Sequence, residues 1–192
     1  MPDGPRQRLL TAAMELMCER GVHGTALTDL LDLSGTARGS VYQHFPDGKS
    51  QLMTEATRVA GRWLGAMLDD LLATRAPADA LTGMVDYWRE TLVGSDFQRG
   101  CPVLAAAQAG PGEPEILAAA ADAFAGWTAS IAAALGSKPP GPPAADAAAL
   151  AGVAVSTLEG AIAISRATRS TRPLDDAGAI LVRLLGADAP AR

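Results

Sequence analysis

Apolar residues recur at helical spacing from the first turns onward. In RQRLLTAAMELMCERG, Arg6 to Gly21, Leu9, Ala13, Leu16 and Met17 share one face, with Leu10 and Met14 beside them. This is the stripe of a helix that packs on one side. Gly21 suits the position just past a helix end, because glycine adopts positive φ without a steric penalty. Thr28 is placed to cap a helix of barely two turns, TDLLDLSG, that ends at Gly35. The polar stretch ARGSVYQHFPDGKSQL follows, and Pro46-Asp47-Gly48 within it is a turn. A long helix is expected from near Lys49 to about Ala73, with Leu52, Ala56, Val59, Trp63, Met67 and Leu71 along one side. Ala78 to Val93 comes next, with Leu81, Met84, Val85 and Trp88 inward. Cys101-Pro102 opens a short helix, since proline is tolerated in a first turn. Glu115 to Leu135, Asp146 to Thr168 and Pro173 to Gly186 complete the helical pattern. Gly136 to Asp146, GSKPPGPPAAD, is expected to be a loop because its prolines and glycines oppose a helix.

Composition supports an all-α chain. Of the 192 residues, 48% are apolar but only 4% aromatic, so a core must come from Ala, Leu, Val and Met. Ala and Leu favour helices, and the strand-forming residues never alternate over a useful length. The expected architecture is an N-terminal three-helix domain, residues 1–48, followed by a C-terminal helical bundle, residues 49–192. Charge is uneven. Residues 1–62 carry seven Lys/Arg, seven Asp/Glu and both histidines, whereas residues 63–192 carry nine and fourteen. A neutral head on an acidic body is compatible with nucleic-acid binding if the basic groups gather on one face.

The first ten residues lack the apolar core of a secretory signal. Cys18 and Cys101 lie far apart without metal-ligand spacing, so a reduced, cytoplasmic protein is expected. The run Ala147 to Ile164 is long enough to weigh as a membrane span. Glu159 interrupts it, alanine dominates it, and aromatic flanks are missing, which favours a helix buried between protein surfaces.

A short helix, a glycine-containing turn and a second short helix, with a third helix in front, make a helix-turn-helix pattern. In the second short helix Gly39 and Ser40 are small enough for close approach to a major groove. Arg38 and Ser40 sit toward its N-terminus, where base edges are reached, and Gln43 follows Ser40 on the same face. Tyr42, His44 and Lys49 suit phosphate contacts, and Thr28 could meet a phosphate beside the N-terminus of its helix. Val41 and Phe45 are expected instead to anchor the helix to the first one. The competing reading is a small bundle whose polar residues are merely solvated.

Gly35, then Gly39-Ser40-Val41-Tyr42-Gln43-His44-Phe45, then Lys49 resemble the N-terminal motif of the tetracycline-repressor (TetR) family over residues 6–62. The stretches GCPVLAAAQ, Gly100 to Gln108, and EGAIAISRATRSTRPLD, Glu159 to Asp175, resemble its LmrA/YxaF-like branch. Ala37 stands where many relatives carry a capping serine, and Thr36 is expected to cap in its place. The resemblance implies a homodimeric repressor that puts one recognition helix per subunit into successive major grooves of a palindromic operator. It adds Thr36 to the expected DNA-binding set of Thr28, Arg38, Gly39, Ser40, Tyr42, Gln43, His44 and Lys49. It also implies dimerisation through the last two helices, for which Ala151, Gly152, Val155, Leu158, Ala161, Ile162 and Ser165 form a close-packing face. A small, hydrophobic effector is implied inside the body, with Trp63, Met67, Met84, Tyr87, Trp88, Phe97, Gln108, Phe124 and Trp127 as its expected wall. Ordinary core packing is the alternative for each of these nine. No cofactor or metal is expected.

The alternative class is a ligand-binding helical protein or small enzyme without sequence-specific DNA binding. The chain carries no Gly-rich phosphate loop, no His-Glu-x-x-His and no Gly-x-Ser-x-Gly. Both histidines, His23 and His44, fall in the head, which leaves the body poor in acid–base chemistry.

Overall fold

The computed structural model describes residues 4–137 and 142–186. The described residues form nine helices and no strand. These are α1 (Pro5–Gly24), α2 (Leu27–Ser34), α3 (Arg38–His44), α4 (Gly48–Thr74), α5 (Pro77–Gly94), α6 (Pro102–Ala107), α7 (Pro114–Gly136), α8 (Ala144–Thr168) and α9 (Arg172–Gly186). Most helix bounds follow the periodicity within about two residues, the usual scatter of helix ends. The expected loop is shortened at its far end, where Ala144 to Asp146 already belong to α8, and its Lys138 to Gly141 portion lies outside the described residues.

The chain divides into two compact units. The first holds residues 1–63 and 100–123, and the second residues 64–99 and 124–192. In the first unit α1 is the central helix. Leu9, Leu10, Ala13, Leu16 and Met17 are buried, as the stripe predicts. Gly21 breaks the helix with φ +73° and ψ 179°, a conformation open essentially only to glycine. Thr25 is buried just beyond and its hydroxyl donates to the Gly21 carbonyl at 2.7 Å. The Gly100 amide donates to the Cys18 carbonyl at 2.9 Å, and the His23 ring meets the Ala109 carbonyl, so the α6 segment is stitched to α1. Cys101 is buried and Cys18 half-buried, both as thiols.

In the second unit α5, α8 and α9 pack together. Gly178 of α9 lies so close to α5 that an added Cβ would stand 3.0 Å from Val85. Arg89 reaches Asp175 at 2.8–2.9 Å and also pairs with Asp86, and the two carboxylates raise its pKa further. The α8–α9 turn is closed from inside: the Leu174 amide donates to the buried Ser165 hydroxyl at 3.1 Å, and the Ser170 amide to the Ser165 carbonyl. Arg169, in the left-handed region at φ 52°, grips the turn after α5 through Asp96 and lies over the Phe97 ring.

Two expected faces are corrected by the structure. Along α4 the buried line is Leu52, Met53, Ala56, Ala60, Leu64 and Leu68, while Trp63 is 54% exposed. The stripe drifts by one residue from the expected one because a large aromatic need not face inward: burial of apolar residues is only a one-way rule. Along α8 the face expected at a dimer seam is buried within the chain at Ala151, Leu158, Ala161, Ile162 and Ser165 and half-buried at Gly152 and Val155. It is therefore not available to a second subunit; Val153 and Ile164 are the large exposed residues of α8. An Ala-rich helix that is apolar nearly all round gives periodicity little power to choose a face. Helices α7 and α8 are long and apolar enough to cross a membrane by length and composition, a test that core helices of soluble proteins also pass.

Candidate nucleic-acid interface and effector cavity

The first unit presents one exposed polar surface on a short, firmly seated helix. Helix α2 ends at Gly35, whose φ of 60° and ψ of 35° are left-handed, and the Thr36 amide returns to the Leu31 carbonyl at 3.2 Å. Arg8 of α1 donates to the Ser34 carbonyl at 3.0 Å, holding the turn down. Two expected caps are corrected by these contacts. The residue before α2 is Ala26, and no side chain caps the helix; Thr28 is an exposed residue of its first turn. The residue before α3 is Ala37, again without a side-chain cap, because the Thr36 hydroxyl is engaged with the Ser34 hydroxyl at 2.8 Å.

Helix α3 is held by two completely buried side chains, Val41 and Phe45, as expected of them. The Phe45 ring lies under the Arg6 guanidinium, 5.5 Å from it, and Arg6 also pairs with Glu55. Glu55 accepts from Gln51 at 3.1 Å, and the Gln51 carbonyl oxygen accepts the Asp47 amide, so the start of α4 is tied to α1. Gly48 turns the chain at φ 70°, and an added Cβ there would stand 3.4 Å from the Tyr42 ring. Against this fixed frame Arg38, Gly39, Tyr42 and Gln43 are exposed, and Ser40, His44, Thr36 and Lys49 half-buried. Spacings of three and four residues put Gly39 and Ser40 on the side of Gln43, and Arg38 on the side of Tyr42. The arrangement offers guanidinium and amide groups for base edges. It offers hydroxyl, imidazole and ammonium groups for phosphates.

The second unit contains a small cavity of about 30 Å³ that opens to solvent. Four helices wall it: Leu64 and Leu68 of α4; Leu81, Met84 and Trp88 of α5; Trp127 and Ile131 of α7; Ala154, Val155, Leu158 and Glu159 of α8. Of the nine residues expected around an effector, Met84, Trp88 and Trp127 are in this wall. Tyr87 and Phe124 are outside the lining and meet Trp88 and Trp127 edge-on at centroid distances of 5.0 and 5.3 Å. Met67 is half-buried and outside the lining. Phe97 belongs to the turn held by Arg169. Trp63 and Gln108 are exposed residues of the first unit. The other eight wall residues lay outside the expected set, and the charged one among them is Glu159, which is only 7% exposed. Its signal was visible, a carboxylate inside an otherwise apolar run. No group of three His, Cys, Asp or Glu among the described residues is placed to hold a metal ion.

These features coincide with what similar proteins are. Residues 9–56 match the tetR family of bacterial regulatory proteins, and residues 77–180 match the C-terminal domain of LmrA/YxaF-like transcriptional regulators. A helix-turn-helix transcriptional regulator of Mycobacterium tuberculosis is 37% identical over 195 residues, covering 98% of each chain. The transcriptional repressor KstR2 of Mycolicibacterium smegmatis is 33% identical over 84 residues, 43% of this chain and 40% of that one. The solved structure of a regulatory protein TetR from Rhodobacter sphaeroides shares the fold, with a TM-score of 0.81 at 23% identity over 92% of this chain and 96% of that one. The chain therefore belongs to the TetR family of DNA-binding helix-turn-helix transcriptional regulators, in its LmrA/YxaF-like group.

Proposed function

We propose that this chain is a cytoplasmic, homodimeric repressor released from a palindromic operator by a small hydrophobic effector. Residues 1–48 read DNA, and residues 49–192 bind the effector and dimerise. The observation that carries the first half is α3 itself. Val41 and Phe45 are fully buried while Arg38, Tyr42 and Gln43 are exposed, so the helix is fixed by one side and offered by the other. In this reading Arg38, Ser40 and Gln43 meet base edges, with Gly39 leaving room for the backbone to approach. Thr28, Thr36, Tyr42, His44 and Lys49 meet phosphates and set the register.

Dimerisation is supported by the outward faces of the last two helices. Val153 and Ile164 on α8, and Ile180 and Leu184 on α9, are large apolar side chains left between 43% and 54% exposed within one chain. Residues 153 and 164, and 180 and 184, fall on one face of each helix, and exposed apolar side chains so aligned suit a partner.

The effector site is the four-helix cavity, with Met84, Trp88 and Trp127 as an adaptable apolar wall. Helix α4 supplies Leu64 and Leu68 to that wall and begins at the residues following α3. It is the element through which an occupied cavity changes the spacing of the two DNA-reading heads. A coupling of about 2–3 kcal/mol weakens operator affinity roughly a hundredfold, and by linkage DNA weakens effector binding equally.

The test is binding of purified protein to labelled DNA from the region upstream of its own gene, across a salt series, against scrambled competitor. Competitor-resistant binding that weakens with salt is the expected result. An affinity no greater than that for scrambled DNA at every salt concentration would reject operator recognition there.

A further inference from the structure

Glu159 is the one acidic side chain in the wall of a cavity whose other lining residues are apolar or indole. It lies in the middle of α8, 7% exposed, within the run Ala147 to Ile164. Neither DNA reading nor the outward dimer face uses it, since it is buried on the side of α8 that carries Leu158 and Ile162. A leucine there would fill the same wall without the desolvation cost of a carboxylate. A carboxylate at this place has a definite consequence for what can enter. A neighbouring cation offsets the cost of holding this carboxylate charged in an apolar wall, and an anion adds to that cost. Tryptophans are also the best aromatic partners of cations, and the wall holds Trp88 and Trp127.

Resting on the reading of this cavity as the effector site, we propose that its ligand is an amphiphilic amine. The apolar body packs between Trp88, Trp127 and Met84, and the ammonium group pairs with the Glu159 carboxylate. Hydrophobic anions such as aromatic or fatty carboxylates are excluded by the same side chain. The chain thereby discriminates among apolar ligands by charge.

Three probes of one shape test this: naphthylmethylamine, protonated at neutral pH, naphthylmethanol and naphthoate, each titrated calorimetrically into the full-length protein. The amine is expected to bind roughly tenfold tighter than the alcohol, and the carboxylate weakest. In Glu159→Gln, which keeps size and helix propensity, the amine's advantage over the alcohol should fall to within about twofold. Leu158→Trp, which fills the cavity, should abolish binding of all three. Equal binding of the three probes by the native chain, or an amine preference that survives Glu159→Gln, overturns the charge assignment. If Leu158→Trp still removes that binding, the cavity remains the site. Absence of any binding overturns both readings. Should Glu159→Gln fail to fold, the rank order in the native chain decides alone.

Discussion

Gly61 shows how little room single positions leave. A Cβ added there would lie 2.7 Å from the Ala123 Cβ, inside the distance that side-chain carbons tolerate, and both atoms are fixed to helix backbones. Gly61→Ala should therefore destabilise the fold by about 1–3 kcal/mol despite the better helix propensity of alanine. Chemical denaturation would read this as a lower midpoint at unchanged slope. Phe45 works in the opposite sense, filling space completely under Arg6. Phe45→Ala should cost about 3–5 kcal/mol and loosen α3 before any DNA is present, visible as faster amide exchange in residues 38–45.

Asp96 illustrates a smaller, surface effect. Its hydrogen bond to Arg169, then their charge attraction, hold its carboxyl below the usual aspartate range. A carboxyl lowered in the folded state contributes stability that is present above the ordinary range and is lost as pH falls through the folded value. Asp96→Asn should thus flatten the acid limb of stability against pH. The change is slight because both partners are more than half exposed. A urea midpoint series from neutral to acid pH would detect it, and parallel curves for the two proteins would rule it out.

At the scale of elements, the proposed DNA-reading surface is shared between α3 and the start of α4. Lys49→Ala removes one phosphate partner, so binding should weaken alike on all sequences and the salt slope should drop by about one. Arg38→Ala should instead cost about 1–3 kcal/mol on the operator and relax preference at one base position. Competition against single-base operator variants separates the two. Equal losses on operator and random DNA for Arg38→Ala would reassign that residue to the backbone. Helix α4 also shows where element-level reading slips. Its existence and length follow from periodicity, yet the buried line runs one residue away from the expected one and leaves Trp63 outside.

At the scale of the molecule, the exposed residues of α8 and α9 bear on assembly. The double substitution Ile164→Glu and Ile180→Glu puts a charge at two apolar positions that are half-exposed in one chain. It should leave the helical content unchanged and yield a monomer by sedimentation at micromolar protein. It should also lower operator affinity, because a palindrome is read by two heads at fixed spacing. Native protein that sediments as a monomer under the same conditions would remove dimerisation from the mechanism.

The sequence by itself determined the all-α class, the order and approximate ends of the helices, and the polar surface of α3. These are local properties: helical periodicity, glycine at positive φ as at Gly21 and Gly35, and a motif in which Val41 and Phe45, one helical turn apart, stand among polar residues. Only the tertiary structure decided which way α4 and α8 face, which of nine candidate aromatic and polar residues share one cavity, and that Glu159 stands among them. An apolar, alanine-rich helix can bury any side, so its orientation is set by the partners that pack against it. The caps depended on context in the same way. Thr28 and Thr36 have the right chemistry, but one lies inside the first turn of α2 and the other spends its hydroxyl on Ser34. Residue type gives each side chain its capacity; distance to its neighbours determines which capacity is used.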